Sequence, residues 1–183
     1  MIWVKSDILW SMTIHIEHRL DLFLEEEVDQ IIELGDALVL SEGKIKDDRV
    51  DHSVRNSRIA WIHPSPSTWW LFDRAIMVFK SGLPFSTLQS MQYTVYYDKG
   101  HYDFHRDIGT GDEIMKARVN VGILQLSSPS EYKGGVLQIK YEDQVIDVMK
   151  TKGMVTTFPI QLEHRVTPVT SGIRKTLIMW GLK

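Results

Sequence analysis

The chain of 183 residues contains no cysteine. That excludes disulfide frameworks, thiolate zinc sites, iron–sulfur clusters and cysteine nucleophiles. It has no apolar run long enough to span a bilayer, so no membrane partner is expected. Residues 1–20 are interrupted by Lys5, Asp7, His15, Glu17, His18 and Arg19 and lack the apolar core of a signal peptide. The expected location is therefore the cytoplasm. Charge of one sign is also lacking: 21 basic against 24 acidic residues give a formal charge of -3, and no nucleic-acid partner is indicated. Repeats and low-complexity segments are absent.

What is present is the composition of a folded protein, 43% apolar and 25% charged, long enough for one domain spanning 1–183. Residues from Arg19 to Val39 read as helix, with Leu24, Val28, Ile31, Ile32 and Gly35 near a 3.6 period and Glu25, Glu26 and Glu27 at its start. Ser41 to Asn56 is polar and reads as loop, with Arg55–Arg58 either a lid or the entry to a strand. Thr68 to Lys80 reads as a second helix. Trp61, Trp69 and Trp70 read as packing residues rather than a stacking platform.

The texture changes near Thr87. About eight short β-rich runs alternate with turn signals: Gln92–Tyr97, Tyr102–Asp107, Arg118–Leu126, Val136–Tyr141, Val145–Met149, Met154–Phe158, His164–Val169 and Arg174–Trp180. This predicts a sandwich or barrel, mainly β (α+β), with a helical part over about 1–86 and a β core over about 87–183.

Of seven histidines, His105 stands out because Asp107 follows two residues later. Positions i and i+2 of a strand share a face, so imidazole and carboxylate can take adjacent positions on one metal. His164, at the start of a later strand, can supply a third ligand. Two His and one carboxylate form the facial triad of non-haem Fe(II) oxygenases; a surface His beside a solvated Asp is the plainer alternative. Alternation also puts Arg174, Thr176, Ile178 and Trp180 on one face. If that face is interior, Arg174 needs an anion, and a dicarboxylate would satisfy it with a bidentate pair. The alternative is an Arg174 that faces solvent.

Together His105-Arg106-Asp107, His164 and Arg174 resemble the iron- and 2-oxoglutarate-binding set of the 2-oxoglutarate/Fe(II)-dependent dioxygenases, in the prolyl 4-hydroxylase-like branch with the PKHD-type hydroxylases of bacteria and phages. Tyr96 through Asp107, Tyr132-Lys133-Gly134-Gly135-Val136-Leu137 and His164–Val169 with Gly172, Arg174 and Trp180 carry the same likeness. The resemblance implies a double-stranded β-helix (jelly roll) with the amino-terminal helices packed on one sheet. It implies Fe(II) held by His105, Asp107 and His164. It also implies 2-oxoglutarate with its far carboxylate on Arg174, and dioxygen as the oxidant. Ascorbate is a further candidate cofactor.

Tyr96 matches a co-substrate-binding tyrosine of the family. Gln125 stands where some prolyl hydroxylases place a tyrosine, and its amide could donate the same hydrogen bond. Thr176 is a further contact for 2-oxoglutarate, and Tyr102, Arg118 and Trp180 are candidates for the substrate mouth. The implied reaction is hydroxylation of a C–H bond with release of succinate and CO2. The implied substrate is a peptide or protein residue, prolyl favoured, with a free amino acid or small metabolite as the alternative. A metal-binding cupin-like barrel without catalysis is the rival from another class. A monomer or dimer in a bacterial cell or phage-infected host is expected.

Overall fold

A computed structural model of the chain describes residues 16–45, 48–80, 85–109 and 113–183; His15 and the turn residues 110–112 lie outside them. Among the described residues the first part of the chain forms β1 (Glu17–Arg19), α1 (Glu25–Asp36), β2 (Ser41–Glu42), β3 (Arg55–Asn56), β4 (Arg58–Ile62) and α2 (Trp69–Val78). Then come β5 (Thr87–Leu88), β6 (Met91–Tyr96), β7 (His101–His105), α3 (Glu113–Lys116), β8 (Arg118–Gln125) and β9 (Tyr132–Gly134). The last part holds β10 (Leu137–Tyr141), β11 (Gln144–Asp147), β12 (Val155–Pro159), β13 (His164–Val166), β14 (Val169–Gly172) and β15 (Arg174–Leu182). No helix among the described residues is long and apolar enough to cross a membrane.

Two antiparallel sheets face each other in a jelly roll. The larger runs β1-β12-β8-β15-β6-β4-β2, with β5 added against β15; the smaller runs β11-β10-β13-β7-β3; β14 and β9 form a separate ladder. Strand alternation sorts side chains between two cores. On β15, Leu177 and Met179 turn outward to meet Val28 and Ile31 of α1 and Leu71, Ala75 and Val78 of α2. Ile178 and Trp180 turn inward, where Tyr96, Val121, Ile123, Leu137, Ile139, Phe158 and Val166 join the sheets. Each buried Leu, Ile or Phe contributes about 1.5–3 kcal/mol. With helices on one face and a sheet on the other, all six positions of β6 are buried. Gly35 lets α1 approach that closely: a Cβ there would lie 2.5 Å from the Tyr93 ring.

The amino-terminal part, expected as two helices joined by a polar loop and a short strand over Ser57–Ile62, holds further strands. The helix begins at Glu25, not Arg19. The Leu24 N–H donates to Glu27 Oε2 at 2.9 Å, which closes the first turn. Arg74 Nε donates to Glu27 Oε1 at 2.7 Å, binding α1 to α2. Arg19 instead ends β1, which pairs with β12. The expected loop 41–56 holds β2 and β3, so the first part supplies strands to both sheets. Arg55 is no lid residue. It is buried, and donates from Nε to Ser57 Oγ, from Nη1 to the Lys44 carbonyl and from Nη2 to Gln92 Oε1. The expected run 164–169 is split at Thr167-Pro168, since proline lacks the N–H a ladder needs. Trp61 packs against Trp180 with ring centroids 5.9 Å apart, whereas Trp69 is 59% exposed.

Candidate active site

The register of the smaller sheet brings the candidate metal-ligating side chains together. β13 lies antiparallel to β7, with His164 directly opposite His105. Asp107 follows just past the end of β7. One ligand atom from each of His105, Asp107 and His164 lies within 4.8 Å of the others. His105 Nε2 is 3.7 Å from Asp107 Oδ1 and His164 Nε2 is 3.8 Å from Asp107 Oδ2.

Both imidazoles are oriented by backbone carbonyls. His105 Nδ1 lies 2.7 Å from the Asp103 carbonyl, and His164 Nδ1 lies 3.1 Å from the Leu162 carbonyl. A carbonyl only accepts, so each Nδ1 carries a proton, and Nε2 is the ring atom turned toward Asp107. Burial, reinforced by His164, pushes the His105 imidazole down to about 3, so it is neutral at pH 7. Burial acts to raise the Asp107 carboxyl. His164, His105, Arg118 and the Trp180 indole outweigh it, and the carboxyl stays below its ordinary value. Two imidazoles and a carboxylate are a donor set that suits Fe(II).

Four further candidates meet in the larger sheet. Arg174 is the ladder partner of Tyr96, and Thr176 is the partner of Gln125; all four are buried. Arg174, 2% exposed, has a buried Nε with no hydrogen-bond partner, and its Cζ lies 5.3 Å from the Tyr96 ring centroid. A buried guanidinium whose Nε lacks a partner is the feature that an anionic ligand would satisfy. Arg174 and Gln125 line one cavity together with Ile123, Leu137, Lys150 and Thr156. Gly135 makes room for the arginine. Its φ of +57° suits glycine, and a Cβ there would lie 3.0 Å from Arg174 Cδ. One amide hydrogen of Gln125 is already donated to the Ser127 carbonyl at 3.0 Å.

The three substrate-mouth candidates surround the ligands. Tyr102 stacks on His105, ring centroids 3.5 Å apart at 15°. Trp180 is buried, and its Nε1 donates to Asp107 Oδ2 at 2.8 Å. Arg118 lies over the Trp180 ring at 3.9 Å and donates to Gln89 Oε1. Trp180 is thus placed to orient Asp107. Sequence reasoning missed two side chains here. Arg55 lies over Tyr102, 4.6 Å from its centroid, and so backs the stack on His105. The Tyr132 hydroxyl is buried without a partner, though the Tyr-x-Gly-Gly turn that carries it was visible.

The family model of the 2OG-Fe(II) oxygenase superfamily matches residues 91–181, the segment that carries His105, Asp107, His164 and Arg174. A PKHD-type hydroxylase of Azoarcus sp. (strain BH72) is 30% identical over 112 residues, which cover 59% of this chain and 49% of that protein. The chain spans about half the length of the curated relatives it matches. A prolyl-4-hydroxylase of Pseudomonas putida superposes with a TM-score of 0.76 at 18% identity, covering 93% of this chain and 94% of the other. A prolyl hydroxylase of Trichoplax adhaerens, solved with a peptide fragment of the hypoxia inducible factor oxygen degradation domain, gives 0.76 at 16% identity over 91% and 83%. These structures share the double-stranded β-helix described above. The chain belongs to the 2OG-Fe(II) oxygenase superfamily.

Proposed function

We propose that this chain is an Fe(II)- and 2-oxoglutarate-dependent dioxygenase that hydroxylates a C–H bond of a peptidyl residue, prolyl favoured. One observation carries the reading. The same barrel interior holds three side chains that could bind a metal ion and a buried Arg174 whose Nε has no acceptor in the protein. A barrel that only binds metal has no use for that cation; a dicarboxylate co-substrate has.

In this reading His105, Asp107 and His164 hold Fe(II), and Arg174 holds the far carboxylate of 2-oxoglutarate. Tyr96, Gln125 and Thr176 shape the pocket around it. When bound, iron, 2-oxoglutarate and dioxygen supply an oxidative decarboxylation to succinate and CO2 that is coupled to oxygen transfer into a C–H bond. The protein orients and shields. The Asp103 and Leu162 carbonyls fix the two rings, Trp180 fixes Asp107, and Ile123, Leu137, Ile139, Phe158 and Val166 keep water from the interior. Retention of the Asp107 carboxylate supports hydroxylation over halogenation, which needs that position vacated. The peptide on the Trichoplax neighbour supports a peptidyl substrate. Every proposed ligand comes from one chain, so a monomer suffices, and a bacterial or phage-infected cytoplasm suits the reading.

The test is turnover of proline-containing peptides with Fe(II), 2-oxoglutarate, dioxygen and ascorbate, read by succinate release and peptide mass. Succinate matched by a gain of one oxygen atom on a peptide is expected. Oxygen gained only by free amino acids or metabolites would overturn the substrate class. Iron-loaded protein that never consumes 2-oxoglutarate would overturn the activity.

A further inference from the structure

Tyr132 lies in β9 and is 3% exposed, yet its hydroxyl has no hydrogen-bond partner. Buried hydroxyls are paired as a rule, and an unpaired one destabilises the protein that carries it. The Nε of Arg174 is unpaired in the same way. The two side chains are neighbours across Gly135. A Cβ on that glycine would lie 3.0 Å from Arg174 Cδ and 3.1 Å from Tyr132 Cε2.

The remaining neighbours supply positive charge and no anionic oxygen. Burial raises the Tyr132 hydroxyl above its ordinary pKa, opposed by Arg174 and Gln125 beside it, so the phenol stays protonated and can donate. A guanidinium has no acceptor to offer. Lys150 brings a second cation, its Nζ 4.5 Å from the Tyr132 ring centroid and 3.0 Å from the Gly134 carbonyl it donates to. Gln125, Gly135, Lys150 and Arg174 all line the same cavity. Two unpaired donors beside a second cation lack one thing, an anionic oxygen between them.

We propose that Tyr132 donates its hydroxyl hydrogen to the far carboxylate of bound 2-oxoglutarate, alongside Arg174. The hydroxyl thereby becomes a determinant of co-substrate choice, favouring 2-oxo acids with a second carboxylate. The inference rests on the reading of 2-oxoglutarate as co-substrate.

The test is calorimetric titration of the chain loaded with Mn(II), a redox-inert stand-in, with 2-oxoglutarate and with oxalate. Oxalate can chelate the metal but has no far carboxylate. Tyr132→Phe should bind 2-oxoglutarate about 10-fold or more weakly, the loss of one hydrogen bond to a charged group. Its affinity for oxalate should be unchanged. It should melt no lower than the wild type without ligand, since the hydroxyl bonds to nothing there. Unchanged 2-oxoglutarate affinity in Tyr132→Phe would overturn the inference and leave the co-substrate reading intact. A variant that melts well below the wild type and loses both ligands alike would overturn it in favour of a structural hydroxyl. Wild type that binds oxalate but not 2-oxoglutarate would overturn the co-substrate reading itself, and this inference with it.

Discussion

His105 and His164 stand opposite each other in the β7–β13 ladder, their rings 4.2 Å apart and inclined at 55°. The sheet register, not a local motif, sets the spacing of the two imidazoles, and Asp107 reaches both from beyond the end of β7. A metal centre held by these side chains would be as rigid as the strands that carry them.

Replacing any one of the three ligands should remove stable metal binding while leaving the fold. His105→Ala and His164→Ala each open one coordination position and leave no ionised group without a partner. The expected loss of Fe(II) affinity exceeds the roughly 10–100-fold typical of an outer partner. Metal content after dialysis, read beside the far-ultraviolet dichroism spectrum, checks it.

Trp180→Phe should weaken metal binding by about 10–100-fold, because the indole is the hydrogen-bond donor that aims Asp107. The ring stays apolar, so the inter-sheet core keeps its packing. Competition against a metal indicator measures the change; affinity equal to that of the wild type would assign Trp180 to packing alone.

Gly135→Ala should cost the fold more than an exposed substitution does. Its φ of +57° costs an L-residue roughly 1–2 kcal/mol, and the new Cβ would meet Val169 Cγ2 at 2.9 Å and Arg174 Cδ at 3.0 Å. Because Arg174 must move, 2-oxoglutarate affinity should fall together with the melting temperature.

Asp36, at the end of α1, accepts from Tyr93 Oη at 2.7 Å and from Lys175 Nζ at 2.6 Å. Burial works to raise this carboxyl, but the two hydrogen bonds outweigh it and hold it below its ordinary value. A lowered folded-state pKa stabilises above the unfolded value of about 3.9 and is lost as the pH falls through the folded one. Wild type should therefore lose more melting temperature than Asp36→Asn on acidification below about pH 4. The difference should be small, since the pair is partly solvated.

Much of this was legible in the chain itself. Alternation along β15 placed Arg174, Thr176, Ile178 and Trp180 on one face, and all four point into the barrel side of the sheet. The strand runs from Gln92 onward lie within a few residues of the observed elements because their faces are strongly sorted. β1, β2 and β3 were not legible: two or three residues carry no period, and backbone pairing alone defines them. Tertiary partners hid the rest. The Trp180–Asp107 bond joins residues 73 apart in sequence, and the buried Arg55 donates to Gln92, 37 residues away.

Anaerobic titration of the Fe(II)-loaded chain with 2-oxoglutarate, followed by visible absorption, tests the central claim most directly. A metal-to-ligand charge-transfer band should appear with the wild type and need far more 2-oxoglutarate in Arg174→Ala, in line with a lost pair worth about 2–5 kcal/mol. Bound iron with no such band at any 2-oxoglutarate concentration would contradict the account and leave a metal-binding barrel.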